Sequence, residues 1–263
     1  MTAAPLAVVS LGRIRYAEAD ALQHSLCQER IAGRIDRDIL LLLEHEPTIT
    51  LGRGTRPSSL PLAPEELKRR GLTVVEVDRG GDVTWHGPGQ LVGYPILDLT
   101  AHRRDLHWYL RQLEAALILG LQRLGLPAER NPGLTGVWTG GRKIASIGIH
   151  VRQWVTTHGF ALNVNNRLDD FGLIVPCGID EVVMTTVADE LDGPATERPS
   201  GAACRDPAVR ESFWAARRLG GSADLWETVS RSVTESFGQV FDLSPVLTVM
   251  EELVPGAAAL RIR

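Results

Sequence analysis

The chain has 263 residues, 44% of them hydrophobic and 23% charged, with a formal net charge of −4. This is the profile of an ordinary soluble globular enzyme of one large or two small domains, and it excludes a disordered or fibrous chain and, being acidic, a general nucleic-acid binder. The start lacks a basic segment followed by a long apolar run, and apolar runs such as Ile39 to Leu43 are too short to cross a bilayer, so neither a signal peptide nor a membrane span is expected.

In chain order, residues 6–11 read as a strand and 16–33 as a helix, with Ala19, Leu22, Leu26 and Arg30 at helical spacing. Asp38 to His45 is an apolar run bounded by charges, which suits a buried strand, and Thr48 to Gly52 follows as another after Pro47. Pro64 with Glu65 and Glu66 opens a short helix that ends at Gly71, and Leu72 to Val77 reads as a strand. The clearest helix runs from Asp105 to Leu124, with Leu106, Leu110, Leu113, Leu117, Leu121 and Leu124 on one face, Asp105 as cap, and Gly125 and Pro127 as terminators.

Two further strands carry more information. From Lys143 to Val151, bulky Ile147, Ile149 and Val151 alternate with Ser146, Gly148 and His150. From Val155 to Asn165, Phe160, Leu162 and Val164 alternate with Gly159, Ala161 and Asn163. Paired as a hairpin through Arg152-Gln-Trp, they would present one bare face, either a floor for a ligand or a seat for a closely packed helix. Residues 192–207 are turn-formers and polar residues, followed by helical stretches at 208–219 and 223–238.

The segment Arg79-Gly-Gly-Asp-Val-Thr-Trp-His-Gly-Pro-Gly-Gln-Leu-Val-Gly-Tyr94 interleaves glycines with hydrogen-bonding side chains. Glycine lets a ligand approach main-chain N–H groups, and Arg79 offers a fixed fork of donors for a carbonyl or phosphate. It matches neither a P-loop nor a dinucleotide fingerprint; a ligand-free glycine-rich hairpin is the plainer alternative. Three cysteines, Cys27, Cys177 and Cys204, without CxxC spacing argue against a disulfide framework or zinc knuckle and suit a thiol-reducing compartment. Cys177 sits in a tight Pro-Cys-Gly turn, although a lone cysteine is more often a small buried hydrophobe. Cys204, in a polar loop, reads as incidental.

Lys68 and Lys143 are the only lysines beside 26 arginines, an asymmetry that biased base composition largely explains. A surviving lysine still raises a chemical question, because lysine can lose its proton in a site and arginine effectively cannot. Lys143 is thus the candidate positive neighbour for Cys177. His86 or His158 could instead pair with the cysteine, and these two and His150 could equally be ordinary core or strand histidines.

Four ordered motifs carry a resemblance: the Arg79–Tyr94 segment; Gly141-Arg-Lys-Ile-Ala-Ser-Ile-Gly-Ile-His150; His158-Gly-Phe-Ala-Leu-Asn-Val164; and Pro176-Cys-Gly-Ile179. Together they resemble the octanoyl-[acyl-carrier-protein]:protein octanoyltransferases of lipoate biosynthesis, over about residues 31–191. The resemblance implies a mixed α/β (α+β) fold of the biotin and lipoate protein ligase type, with a central, mostly antiparallel sheet flanked by helices, plus a smaller sheet. The catalytic domain is expected at residues 1–191, with a loop and helix elaboration at 192–222 that the family pattern does not cover, and a C-terminal helix and tail at 223–263 packed on the same domain.

The resemblance also implies chemistry. Octanoyl passes from acyl carrier protein to a lysine of a lipoyl domain through a thioester on Cys177, with Lys143 as electrostatic partner and acid/base. Substrate contacts map onto Arg79, Gly80, Gly81, Asp82, Val83, Thr84, Trp85 and His86, onto Ser146, Ile147 and Gly148, and onto Gly159, Phe160 and Ala161. Main-chain N–H groups near Cys177 and at Gly80–Gly81 are candidate oxyanion donors. No cofactor, metal, nucleic acid or membrane is expected, and the compartment is the cytoplasm. The acceptors are lipoyl domains of 2-oxoacid dehydrogenase complexes and the glycine cleavage H protein. Both protein partners being acidic, Arg53, Arg56, Arg130, Arg142 and Arg152 are candidates for a positive rim. An ATP-dependent lipoate or biotin ligase, or a non-catalytic carrier-binding module, would share the fold.

Overall fold

The structure, a computed structural model, describes residues 3–179, 181–192 and 222–253. The expected helix at 208–219 and Cys204 lie outside them. The strands are β1 (Ala4–Ile14), β2 (Asp38–His45), β3 (Thr48–Leu51), β4 (Thr73–Glu76), β5 (Val83–His86), β6 (Gln90–Ile96), β7 (Val137–Thr139), β8 (Arg142–Arg152), β9 (Val155–Asn163) and β10 (Leu243–Leu247). The helices are α1 (Tyr16–Ile31), α2 (Pro64–Arg69), α3 (Leu106–Arg123), α4 (Val187–Asp192), α5 (Ser222–Phe241) and α6 (Met250–Leu253).

Seven strands form one sheet in the order β10-β1-β2-β6-β9-β8-β7. β1 runs parallel to β10 and β2, and the remaining pairs are antiparallel, which gives the mostly antiparallel sheet the resemblance implied. A second sheet of three strands, β4-β3-β5, stands beside it.

The run Asp-Ile-Leu-Leu-Leu-Leu-Glu-His of β2 is apolar on both faces because both faces are covered. Leu40 and Leu42 enter a core with Leu113, Leu117 and Leu121 of α3 and Val229, Val233 and Phe237 of α5. Ile39, Leu41 and Leu43 enter the opposite core, with Ala19, Leu22 and Leu26 of α1. α3 starts where Asp105 accepts a hydrogen bond from the Trp108 amide at 3.0 Å, as a cap does. Its buried face follows Tyr109, Leu113, Leu117 and Leu121, whereas Leu106, in the first turn, is 43% exposed. α3 and α5 approach closely at Gly120, where an added Cβ would lie 3.3 Å from Val233.

β8 and β9 form the expected hairpin, turning at Gln153 and Trp154 with φ of 50° and 68°, the double left-handed turn that matches strand twist. Their register sets Gly148 opposite Gly159 and Ser146 opposite Ala161. The bare positions therefore coincide on one face.

Candidate active site

Cys177 sits in a single helical turn, Pro176–Gly178, with its own backbone left-handed at φ 58° and Gly178 following at φ 64°. A left-handed cysteine costs about 1–2 kcal/mol, so the turn must be held from outside. The Val175 amide donates to the Ser59 carbonyl at 2.9 Å, and the amides of Gly178 and Ile179 close the turn on Val175 and Pro176. Gly178 is required for a second reason: an added Cβ would lie 2.4 Å from the Asp82 carboxylate.

Lys143 follows the Gly140-Gly141 turn between β7 and β8. Its amide donates to Val183 at 2.8 Å and its carbonyl accepts from Thr185 at 3.0 Å, so β8 grips the chain just after the Cys177 turn. That pairing brings together residues 34 positions apart, and Lys143 Nζ stands 3.1 Å from Cys177 Sγ. The lysine is 1% exposed, with its Nζ 5.1 Å from the Trp138 ring centre. Ser146 Oγ lies 3.7 Å from the same sulfur.

Cys177 opens onto a cavity of about 230 Å³. From the glycine-rich segment, Arg79, Gly81, Asp82, Thr84 and His86 border it. Gly80, Val83 and Trp85 do not, contrary to expectation. On β5 alternate side chains face opposite ways, so Val83 and Trp85 enter the core of the smaller sheet. Gly80 is turned onto β8, its amide bonded to the Ile149 carbonyl at 2.8 Å, which also removes it as an oxyanion donor. From the hairpin, Ser146, Ile147, Gly148, Gly159, Phe160 and Ala161 all border the cavity, although Ile147 and Phe160 pack with the opposite core.

Arg79 borders the cavity with its fork engaged by the protein itself. Nη1 donates to the carbonyls of Gly80 and Asp82 at 3.0 and 2.8 Å, and Nη2 to the Thr50 carbonyl and hydroxyl at 2.9 and 2.7 Å. It is a clamp on the loop. Asp82 is likewise committed, accepting from Ser59 Oγ and the Val83 amide, both at 2.7 Å. Arg79 Nε and the Thr84 hydroxyl, by contrast, are buried without a hydrogen-bond partner in the protein.

From Arg79 a buried polar chain continues. Thr50 meets His86 Nε2 at 3.4 Å, and His86 Nδ1 donates to Gln90 Oε1 at 2.8 Å. Gln90 Nε2 donates to Asn163 Oδ1 at 3.0 Å, and Asn163 Nδ2 to the Thr185 carbonyl at 3.0 Å. Two of the four motifs thus support the segment that β8, which carries a third, grips. Burial pushes the His86 imidazole well below its usual range, leaving it neutral.

Neither histidine offered as an alternative partner bonds to Cys177. His158 donates from Nε2 to Asp78 at 2.6 Å, which together with His24 at 3.2 Å holds the Asp78 carboxyl below the usual carboxylate range. Asp20, His24 and His158 place potential metal-ligating atoms within 4.8 Å of one another, but Asp78 and Gln23 already engage these side chains.

Tyr16, Tyr94, Ile179, His158 and the loop Gly133–Thr135 also border the cavity. Tyr94 closes the glycine-rich motif, which is a usable signal; Tyr16 and the 133–135 loop lie outside the motifs. Of the rim candidates, Arg130 is bonded to Glu114 at 2.8 Å, Arg142 to Glu190 at 2.7 and 2.8 Å, and Arg56 lies 3.6 Å from the Asp82 carboxylate and donates to the Gly178 carbonyl at 3.4 Å, while Arg53 and Arg152 are exposed.

Residues 15–201 match the model of the lipoyl protein ligase A/B catalytic domain. The chain belongs to that family. Among its relatives, the octanoyltransferase of Gloeobacter violaceus is 51% identical over 180 residues, covering 68% of this chain and 79% of the relative. The octanoyltransferase of Geobacter sulfurreducens is 50% identical over 200 residues, 76% and 82% of the two chains. Family members share the fold at far lower identity. A lipoate-protein ligase A bound with ATP superposes with a TM-score of 0.63 at 15% identity, over 98% of this chain and 94% of that one. A bipartite lipoate protein ligase from Thermoplasma acidophilum gives 0.61 at 16%, over 97% and 92%. Among the described residues, no helix is long and apolar enough to cross a membrane.

Proposed function

We propose that this family member is an octanoyltransferase that takes octanoyl from acyl carrier protein and delivers it to a lysine of a lipoyl domain through a thioester on Cys177. The observation that carries the reading is the 3.1 Å approach of Lys143 Nζ to Cys177 Sγ at the mouth of the cavity. A buried ammonium is costly unless compensated, and a thiolate beside it supplies the compensation. The close identity to octanoyltransferases supports the substrate class.

In the first half-reaction the Cys177 thiolate attacks the donor's carbonyl carbon, and the tetrahedral intermediate expels the carrier's thiolate. The Lys143 ammonium gives that leaving sulfur its proton. In the second, the acceptor's amine attacks the Cys177 thioester, neutral Lys143 takes the amine proton, and the Cys177 thiolate leaves. The pair thereby returns to its starting state. With the Gly80, Gly178 and Ile179 amides already bonded, the amides of Cys177 and Gly81 remain as candidate oxyanion donors. Thioester exchange is nearly balanced and thioester-to-amide transfer is downhill, so the cycle needs no ATP. Of the rim candidates, Arg53 and Arg152 are the exposed arginines best placed to attract acidic partners.

The test is intact-mass measurement after incubation with octanoyl-acyl carrier protein. The expected result is one octanoyl adduct, removed by hydroxylamine and absent in Cys177→Ser. Activity with free octanoate and ATP, without an adduct from the carrier, would overturn the reading in favour of a ligase.

A further inference from the structure

The cavity runs from an exposed mouth to a buried end. Cys177 and the exposed loop Gly133–Thr135 stand at the mouth. The sulfur lies 3.7 Å from Ser146 Oγ on β8. Ser146 is opposite Ala161 on β9, and Ala161 is opposite Val92 on β6, so the three form one row across the sheet. Tyr94 lies two residues along β6 from Val92 and shares its face, the one covered by α1. Two inter-strand spacings separate β8 from β6, about 10 Å, and Tyr94 stands two residues, about 7 Å, farther along β6. Roughly 12 Å therefore separates the Ser146 and Tyr94 backbones, part of which the Tyr94 ring fills. A fully extended eight-carbon chain, zigzagging along bonds of about 1.5 Å, spans roughly 9 Å.

On this face of β8 and β9, Gly148, Gly159 and Ala161 border the cavity and carry nothing larger than a methyl group, and Val92 in the same row does not border it. At the cavity's end Tyr94, Tyr16 from the start of α1 and His86 from β5 form a buried aromatic wall. His45 stands against this wall, fully buried, with its ring 4.9 Å from Tyr16 and 5.5 Å from His86. Its Nδ1 donates to the Ile14 carbonyl at 3.2 Å, and its Nε2 accepts from the Tyr94 hydroxyl at 2.7 Å. This arrangement requires a neutral imidazole, and burial supplies it by pushing the group down to about 4. Tyr94 is therefore tied to the sheet at both ends, its backbone in β6 and its hydroxyl on His45.

We propose that Tyr16 and Tyr94, braced by His45, are the stop that limits the acyl chain on Cys177 to about eight carbons. The inference rests on reading Cys177 as the acyl carrier. Two further carbons would have to displace a clamped aromatic ring in a cavity of only about 230 Å³. A shorter chain would leave the inner wall without contacts and bind less well.

The test offers the full chain hexanoyl-, octanoyl-, decanoyl- and dodecanoyl-acyl carrier protein in competition and weighs the acyl-enzyme. The wild type should favour octanoyl over decanoyl. Tyr16→Ala should raise the decanoyl-to-octanoyl ratio about tenfold or more, the preference that two buried methylenes supply. Ala161→Val, which raises the floor, should shift selection towards hexanoyl. Should Tyr16→Ala fail to fold, Tyr16→Leu carries the same comparison. A wild type that takes dodecanoyl as readily as octanoyl, or folded Tyr16 variants with an unshifted ratio, overturns the stop while leaving the Cys177 thioester standing. Absence of any thioester at every chain length sinks the reading of Cys177, and the stop with it.

Discussion

Lys143 Nζ approaches Cys177 Sγ to 3.1 Å because the chain after the cysteine, at Val183 and Thr185, is hydrogen-bonded as an added strand to β8 at Lys143 itself. The backbone that fixes the lysine and the backbone that leads away from the cysteine are the same ladder. The pair is held by main-chain geometry as well as by charge.

Lys143→Arg keeps the positive charge and loses the exchangeable proton. Transfer should fall by about 10²–10⁴-fold, the usual contribution of a positioned acid/base. Steady-state transfer to a lipoyl domain measures this, with thermal unfolding as the control for folding. Full activity in a folded variant would remove the assigned acid/base role.

Gly178→Ala should be more harmful than its size suggests. The added methyl would sit 2.4 Å from the Asp82 carboxylate on a residue at φ 64°. A loss of about 1–3 kcal/mol is expected from the backbone conformation alone. Urea denaturation gives the stability, and the alkylation rate of Cys177 reports whether the turn still presents the sulfur.

Gln90→Leu should destabilise the protein although Gln90 itself does not border the cavity. It strips the His86 Nδ1–H of its acceptor and the Asn163 Oδ1 of its donor, both buried. Each orphaned group costs about 1–3 kcal/mol. A double-mutant cycle with Asn163→Ala should show coupling, because the two act in one chain of bonds. Simple additivity would mean that the chain is not a cooperative unit.

Stability should fall in mild acid. The His45 imidazole is pushed down to about 4 by burial, and His86 is shifted the same way. An unfolded histidine takes its proton near pH 6.5, so between about pH 6.5 and 4 the unfolded state binds protons that the native state refuses. The contribution is therefore intact above about pH 6.5 and is lost progressively as pH drops towards 4, by roughly 3 kcal/mol for His45. Urea titrations across that range should show the decline, and His45→Gln should flatten it.

Local order was legible in the sequence because it is set by near neighbours. The periodicity of α3, the doubly apolar run of β2 and the alternation along β8 and β9 each required only one segment, and the bare faces of that hairpin do form the cavity floor. The period of two also explains why Thr84 and His86 border the cavity while Val83 and Trp85 enter a core. Arg79 shows the limit of residue type as a guide. A guanidinium fork suits a ligand or a loop of carbonyls equally well, and only the positions of Thr50, Gly80 and Asp82 decide that it clamps the loop.

By itself the sequence determined several elements, the bare face of the β8–β9 hairpin and the two candidate groups, Cys177 and Lys143, because motif and alternation are properties of consecutive residues. The tertiary structure alone decided that those groups meet, since a separation of 34 positions carries no distance until β8 captures residues 183–185. It also decided where the cavity ends. Tyr16, His45, His86 and Tyr94 come from four separate segments of the chain, and only the packing of α1 and two sheets brings their rings together.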